Sequence, residues 1–173
     1  MSDTIHDLLN RRSCRKYQDK QITDEELDTI LKAGTYAPTG MGKQSPKLVV
    51  IQDPELISKI SRMNGEVMHS SSDPFYGAPT LVIVFADSNA RTYIQDGALV
   101  MGNMMNAAEA LGVASCYINR AKEVFETEEG KKLMHEWGLS DNYVGIANCI
   151  LGYAAEGGIQ KPAERKADYI IRV

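Results

Sequence analysis

The 173-residue sequence predicts one α+β domain over residues 1–173, a mixed sandwich in which four to five strands interleave with helices. Helix and strand patterns alternate along the whole chain, with no internal repeat and no low-complexity linker to divide it. The length is enough to bury a core unaided, and 43% hydrophobic with 24% charged residues is the composition of an ordinary globular protein.

Ile5, Leu8 and Leu9 fall at i, i+3, i+4, so residues 4–10 read as a short amphipathic helix. It delivers Arg11-Arg12-Ser13-Cys14-Arg15-Lys16, a cluster of cations around one hydroxyl in a chain of net charge −4. At the next helix, Thr23 as N-cap and Glu26 three residues on form a capping box, and Ile22 with Leu27 forms a hydrophobic staple. Leu27, Ile30 and Leu31 make its buried stripe, and Gly34 ends it. Prolines and glycines in Ala37–Pro46 forbid a helix or central strand there and leave a loop.

β-Branched Val49, Val50 and Ile51 place a strand at 47–52, and Asp53-Pro54 opens a helix that ends near Asn64-Gly65. Residues 66–79 read as a long mobile connection. Residues 80–86 are apolar without alternation, the pattern of a strand buried on both faces. The helix predicted over 93–111 is apolar or small nearly all round, so its own domain or a second subunit must cover it. Gly112 stops that helix, and a strand follows at 113–118. Residues 121–138 read as amphipathic helix and 143–153 as a strand. The tail 154–168 has no core pattern, yet Asp168–Val173 again looks like a strand, one that a long arm can add to a partner's sheet edge.

The acidic balance weighs against nucleic acid as a partner. The N-terminus lacks the basic start of a secretory signal, and no apolar window reaches the length of about 18 residues that a membrane span needs, so a cytoplasmic protein is expected. Cys14, Cys116 and Cys149 are scattered and odd in number, which suits reduced thiols. Cys14, flanked by cations, is the candidate for a reactive one. His6, His69 and His135 are isolated, so no metal site is expected. Dinucleotide fingerprint, P-loop and nucleophile elbow are all missing.

Arginine's planar fork of N–H donors matches phosphate oxygens, so the cluster at 11–15 reads as a phosphate grip. The alternative is a helix-end cluster that answers the macrodipole without any ligand. A phosphate grip in a chain short of acids, bases and nucleophiles points to chemistry carried by a bound cofactor.

Four elements occur in order: Arg11-Arg12-Ser13-Cys14-Arg15, then Ala37-Pro38-Thr39-Gly40 with Gln44, then Gly112–Asn119, then Leu151-Gly152-Tyr153 followed by Lys161-Pro162 and Arg165-Lys166. Together they resemble the nitroreductase family of FMN-dependent oxidoreductases, being similar in turn to its R-R-S-x-R element, A-P-S-G-x-N-x-Q-P loop, G-L-G-S-C-W-I segment, and L-G-Y strand with basic tail. Gly42 stands where that family commonly has asparagine, and Ser45-Pro46 replaces a proline followed by a bulky residue.

The resemblance implies a nitroreductase-like three-layer sandwich and a homodimer with two FMN sites at the subunit interface. Arg11, Arg12, Ser13 and Arg15 are implied to hold phosphate and ribityl oxygens, with Arg165 or Lys166 completing the phosphate contacts. Pro38, Thr39, Gly40 and Gln44 are implied to come from the other subunit, and Asn64 to meet the ring or ribityl chain. Backbone groups at Tyr117, Ile118 and Asn119 are implied to lie beside the flavin's reactive edge, and no catalytic side chain is expected. The implied activity passes two electrons from NADH or NADPH through FMN to a small flat acceptor such as a nitroaromatic or quinone, donor and acceptor taking turns on one face. A flavin-binding module for storage, sensing or delivery is the alternative. Residues 66–79 are expected to cover the flavin face in part, with Phe75 and Tyr76 stacking on a flat substrate or anchoring the loop in the core.

Overall fold

Thr80–Asp87 (β2) buries both of its faces: Leu81, Val82, Ile83, Val84, Phe85 and Ala86 are fully buried. In the computed structural model, which describes residues 3–173, Pro46–Ile51 (β1), Ala114–Ile118 (β3) and Tyr143–Gly152 (β4) complete a four-stranded sheet. The strand order is β1-β2-β4-β3 and every pairing is antiparallel, with a register shift in the β2–β4 pair between Val84 and Phe85. Met1 and Ser2 of the expected domain lie outside the described residues.

The helices are Asp3–Asn10 (α1), Asp24–Thr35 (α2), Pro54–Val67 (α3), Tyr93–Ala110 (α4), Ala121–Glu126 (α5) and Glu128–Glu136 (α6). Alternation along β2 divides the core in two. Leu81, Ile83 and Phe85 meet Ile60 of α3 and Phe125 of α5 on one face, while Val82 and Val84 meet Ile30 of α2 and Met101 of α4 on the other. Helices therefore cover both faces of the sheet, giving the expected three layers. The Phe85 and Phe125 rings meet edge to face with centroids 4.9 Å apart.

Local signals set the helix starts. Thr23 Oγ1 accepts from the Glu26 amide at 3.2 Å, and Glu26 Oε2 accepts from the Thr23 amide at 2.8 Å, closing the capping box. Asp53 Oδ1 accepts from the Leu56 amide at 2.7 Å. Other boundaries differ from the sequence reading. The third helix continues past Asn64-Gly65 to Val67, and the Ser70 amide then donates back to the Gly65 carbonyl at 3.0 Å. Thr127 divides the helix expected over 121–138: its backbone is extended, and its Oγ1 accepts from the Gly130 amide at 3.0 Å to start α6. Gly130 permits that corner, since a Cβ there would sit 2.2 Å from the Val124 carbonyl.

Residues 68–79 are organised rather than loose. Asp73 accepts from the amides of Phe75 at 2.9 Å and Gly77 at 2.7 Å and from the Ser61 hydroxyl of α3. Phe75 is a core anchor, 1% exposed, while Tyr76 is half-exposed with a positive φ of 55°. Helix α4 buries Val100, Met101, Met104 and Ala108 in its own chain and leaves Ile94 and Leu99 half-exposed. The strand expected at Asp168–Val173 does not form within the chain, because no edge of its own sheet receives it, and Tyr169, Ile170, Ile171 and Val173 lie exposed. No helix among the described residues is long and apolar enough to cross a membrane.

Candidate functional site

The basic segment is stitched into the sheet's β3 side. Cys14 N donates to Ser115 O of β3 and Arg15 N to Gly158 O, each at 2.9 Å, and Ala155 N returns to Lys16 O at 2.9 Å. Isolated bridges join Ser13 to Ser115, Cys14 to Ile159 and Tyr17 to Ala154. Residues 11–17 thus form a rail that leaves the end of α1 and, over 13–17, runs extended between β3 and the chain that follows β4. Cys14 faces the core: it is 0% exposed and its thiol donates to the Lys16 carbonyl at 3.1 Å, so it is not the reactive surface thiol its charged neighbours suggested. Cys116 and Cys149 are buried as expected, and burial pushes the Cys149 thiol up to about 12.

Two guanidinium groups on this rail are incompletely satisfied. Arg11 Nη1 and Arg12 Nε are buried and have no hydrogen-bond partner. Arg12 divides its donors, since its Nη1 gives to the carbonyls of Leu9 and Arg11 at 2.8 Å each and so caps α1 as a helix-end cation should. The capping account therefore holds for one part of Arg12 and leaves Nε and all of Arg11 unexplained. Among the described residues, Arg11, Arg12 and Arg15 form no ion pair. Buried cationic donors without acceptors are costly, and an anion is what satisfies them. The donor set fits a phosphate.

At the far end of β3 a polar corner follows the apolar strand. Tyr117 is half-exposed, Ile118 is buried and Asn119 is exposed. Asn64, 0% exposed on α3, donates through Nδ2 to the Asn119 carbonyl at 2.9 Å, and Asn148 of β4 donates to the carbonyls of Ile118 and Asn119 at 3.3 Å. Arg120 then turns the chain at φ 72°, and its Nε donates to Asn64 Oδ1 at 3.2 Å. The sequence reading included Asn64 and residues 117–119 but missed Asn148 and Arg120. The available signal was a lone amide in the apolar run of β4 and a lone cation between strand and helix.

Loop 37–46 is organised by Asp96, a buried carboxylate of α4 that sequence reasoning also missed. Asp96 accepts from the Gly40 amide at 3.0 Å, the Ser45 hydroxyl at 2.9 Å and the Thr92 hydroxyl at 3.2 Å. Burial raises its pKa, but these three bonds outweigh burial and hold the carboxyl below its usual range. Gly40 is required by close approach, since a Cβ there would lie 2.2 Å from Thr92 Oγ1. Thr39 Oγ1 accepts from the Gln44 amide at 3.0 Å, and Pro38 and Gln44 are exposed.

Within one chain, no hydrogen bond among the described residues joins this loop to the rail at 11–15. Nor does any join Arg165 or Lys166 to it; both are exposed on a tail that touches the rail at Gly158 and Ile159. Loop 68–79 and α3 flank an open pocket of about 780 Å³ lined by Gln21, Gln52, Ser61, Asp73 and Phe75, and no residue of the rail lines it. Within one chain the loop thus shapes a pocket apart from the rail.

The fold is a three-layer α+β sandwich whose rail carries buried arginine donors without partners, a donor set suited to an anionic group. More particularly, the chain belongs to the nitroreductase family, whose family model matches residues 8–153. A crystal structure of a nitroreductase with bound FMN from Bacteroides fragilis is 31% identical, covers 100% of both chains and superposes with a TM-score of 0.92. A protein of Archaeoglobus fulgidus bearing the provisional name NADH dehydrogenase/NAD(P)H nitroreductase is 30% identical over 161 residues, 88% of this chain and 86% of its own. An FMN reductase (NADPH) of Bacillus subtilis is 26% identical over 94% of this chain and 70% of its own.

Proposed function

We propose that this chain is an FMN-dependent NAD(P)H oxidoreductase that acts as a homodimer and reduces flat electrophiles such as nitroaromatics or quinones. The observation that carries the reading is the pair of buried, partnerless donors, Arg11 Nη1 and Arg12 Nε, on a rail fixed to the sheet. When bound, FMN supplies the two-electron chemistry, taking hydride equivalents from NADH or NADPH and giving them to the acceptor.

The chain's own groups bind and orient. Arg11, Arg12, Ser13 and Arg15 hold the phosphate and ribityl oxygens, with the guanidinium forks fixing direction as well as charge. Backbone groups at Tyr117, Ile118 and Asn119 form the wall beside the ring, where fixed N–H donors favour its reduced, electron-rich form; Asn64, implied by the resemblance to meet the ring, is fully buried with both amide atoms engaged and braces that wall from behind instead. Arg165 or Lys166 completes the phosphate contacts: six residues of extended chain from Ile159 span about 20 Å, ample to bring Arg165 back to the rail.

The second copy supplies Pro38, Thr39, Gly40 and Gln44. Support for two copies comes from apolar surface with no cover in one chain: Ile5, Leu8 and Leu9 of α1 are 44%, 48% and 59% exposed, Ile94 and Leu99 of α4 are half-exposed, and the C-terminal Tyr169–Val173 has no partner strand.

Anaerobic addition of NADH or NADPH to the FMN-loaded protein should bleach the oxidised flavin absorbance, and a quinone or nitroaromatic should restore it. A flavin that binds yet stays oxidised with both donors overturns the reading and favours a storage or delivery module.

A further inference from the structure

Arg120 stands in a backbone conformation that an L side chain adopts at a cost, with φ 72° in the left-handed region. Glycine or asparagine would relax that corner, so the turn itself does not call for arginine. The side chain is half-buried, and only its Nε is engaged, by Asn64 Oδ1 at 3.2 Å. Among the described residues it meets no carboxylate, and its two Nη groups make no hydrogen bond. Its anchor is rigid, because Asn64 is fully buried and is itself fixed to the Asn119 carbonyl, which Asn148 also holds. A half-buried cation aimed by a buried amide, with its paired donors free, is a preorganised receptor for a planar anion.

The phosphate of the cofactor is already answered by the orphan donors at Arg11 and Arg12. Arg120 lies elsewhere: β3 carries the chain about 10 Å from the Ser115 bridge to Ile118 before Arg120 is reached. Two sources of an anion remain, the substrate and the dinucleotide. We propose that Arg120 is the specificity residue of the site and selects acceptors that carry a carboxylate or sulfonate on a flat aromatic ring. The inference rests on the reading of residues 117–119 as the wall beside the flavin's reactive edge. The 2′-phosphate of NADPH is the other anion available, but it sits at the far end of the dinucleotide from the reacting ring.

The test uses FMN-loaded protein and two isosteric probes, benzoate and benzamide, titrated by calorimetry against the wild type, Arg120→Gln and Arg120→Lys. Wild type should bind benzoate about tenfold more tightly than benzamide, as a charge-assisted pair predicts. Arg120→Gln should remove that preference while its benzamide and FMN dissociation constants change less than about twofold, and Arg120→Lys should retain part of it. In turnover, KM for 4-nitrobenzoate should rise in Arg120→Gln, while KM for nitrobenzene and the NADPH to NADH ratio stay put.

Equal binding of the two probes by wild type overturns the proposal, a comparison that needs no variant to fold. Loss of FMN affinity in parallel with benzoate affinity also overturns it and makes Arg120 a cofactor residue, and a change in the NADPH to NADH ratio alone assigns it to the dinucleotide. Failure of the wild type to bind FMN is a separate result and sinks the oxidoreductase reading itself.

Discussion

Asn64 and Asn119 are joined across the molecule by a 2.9 Å hydrogen bond from the Asn64 side-chain amide to the Asn119 carbonyl. It ties α3, on one face of the sheet, to the corner after β3, and the same Asn64 accepts from Arg120. Replacing Asn64 with alanine leaves the Asn119 carbonyl with only the 3.3 Å bond from Asn148 and strips Arg120 Nε of its acceptor. Asn64→Ala should lower stability by about 1–3 kcal/mol in urea titration and weaken FMN binding. An unchanged midpoint together with unchanged FMN affinity would show that this corner is not held by α3.

Asp96 gives a pH-dependent prediction. Its carboxyl is held below the usual range in the folded protein, so the bonds from Gly40, Ser45 and Thr92 contribute fully above the unfolded carboxylate pKa. That contribution fades as pH falls through the lower, folded value. Asp96→Asn should therefore cost about 1–3 kcal/mol at neutral pH. The gap to wild type should narrow in acid, as followed by chemical denaturation at a series of pH values. A gap that is flat or widens in acid contradicts the assignment.

Gly40→Ala tests the same loop sterically. The new Cβ would lie 2.2 Å from Thr92 Oγ1, so the backbone must move and the Gly40 amide must leave Asp96. A loss of about 1–3 kcal/mol is expected, and if loop 37–46 serves the second copy's site, as proposed, FMN affinity should fall as well. Thr92→Ala in the same background should restore part of the stability, a coupling that independent sites would lack.

Apolar surface on α1 predicts the assembly. Leu8→Glu puts a charge on a stripe that a second copy covers in the proposed assembly, so the variant should run as a monomer in light scattering at concentrations where wild type is a dimer, and should lose FMN with it. A wild-type monomer that holds FMN contradicts shared sites.

Legibility in the sequence followed the range of each interaction. The capping box at Thr23 and Glu26 and the cap at Asp53 depend on residues three apart, and both formed as read. The doubly buried β2 was legible because a strand covered on both sides cannot alternate. Thr127 was not: its break follows from the close approach of Gly130 to the Val124 carbonyl, a contact that the unbroken amphipathic pattern hides.

In the site, the rail at 11–15 was legible through its charge, but the division of Arg12 between an Nη1 that caps Leu9 and an Nε left without a partner is a matter of rotamer. Asp96 and Asn148 were passed over because each is a single polar residue inside an apolar element, and only the fold reveals which donors or carbonyls it meets. Phe75 and Tyr76, adjacent in sequence, part company because the loop turns at a positive φ between core and solvent.

On the proposed reading the arginines of the rail, Arg11 and Arg15 among them, grip the phosphate of FMN. The most direct measurement is the FMN dissociation constant of Arg11→Ala/Arg15→Ala beside wild type, with circular dichroism and light scattering to verify an intact dimer. Loss of two charge-assisted contacts predicts affinity weaker by about a hundredfold or more with the dimer still folded. A variant that keeps its yellow colour and its affinity would place the phosphate elsewhere.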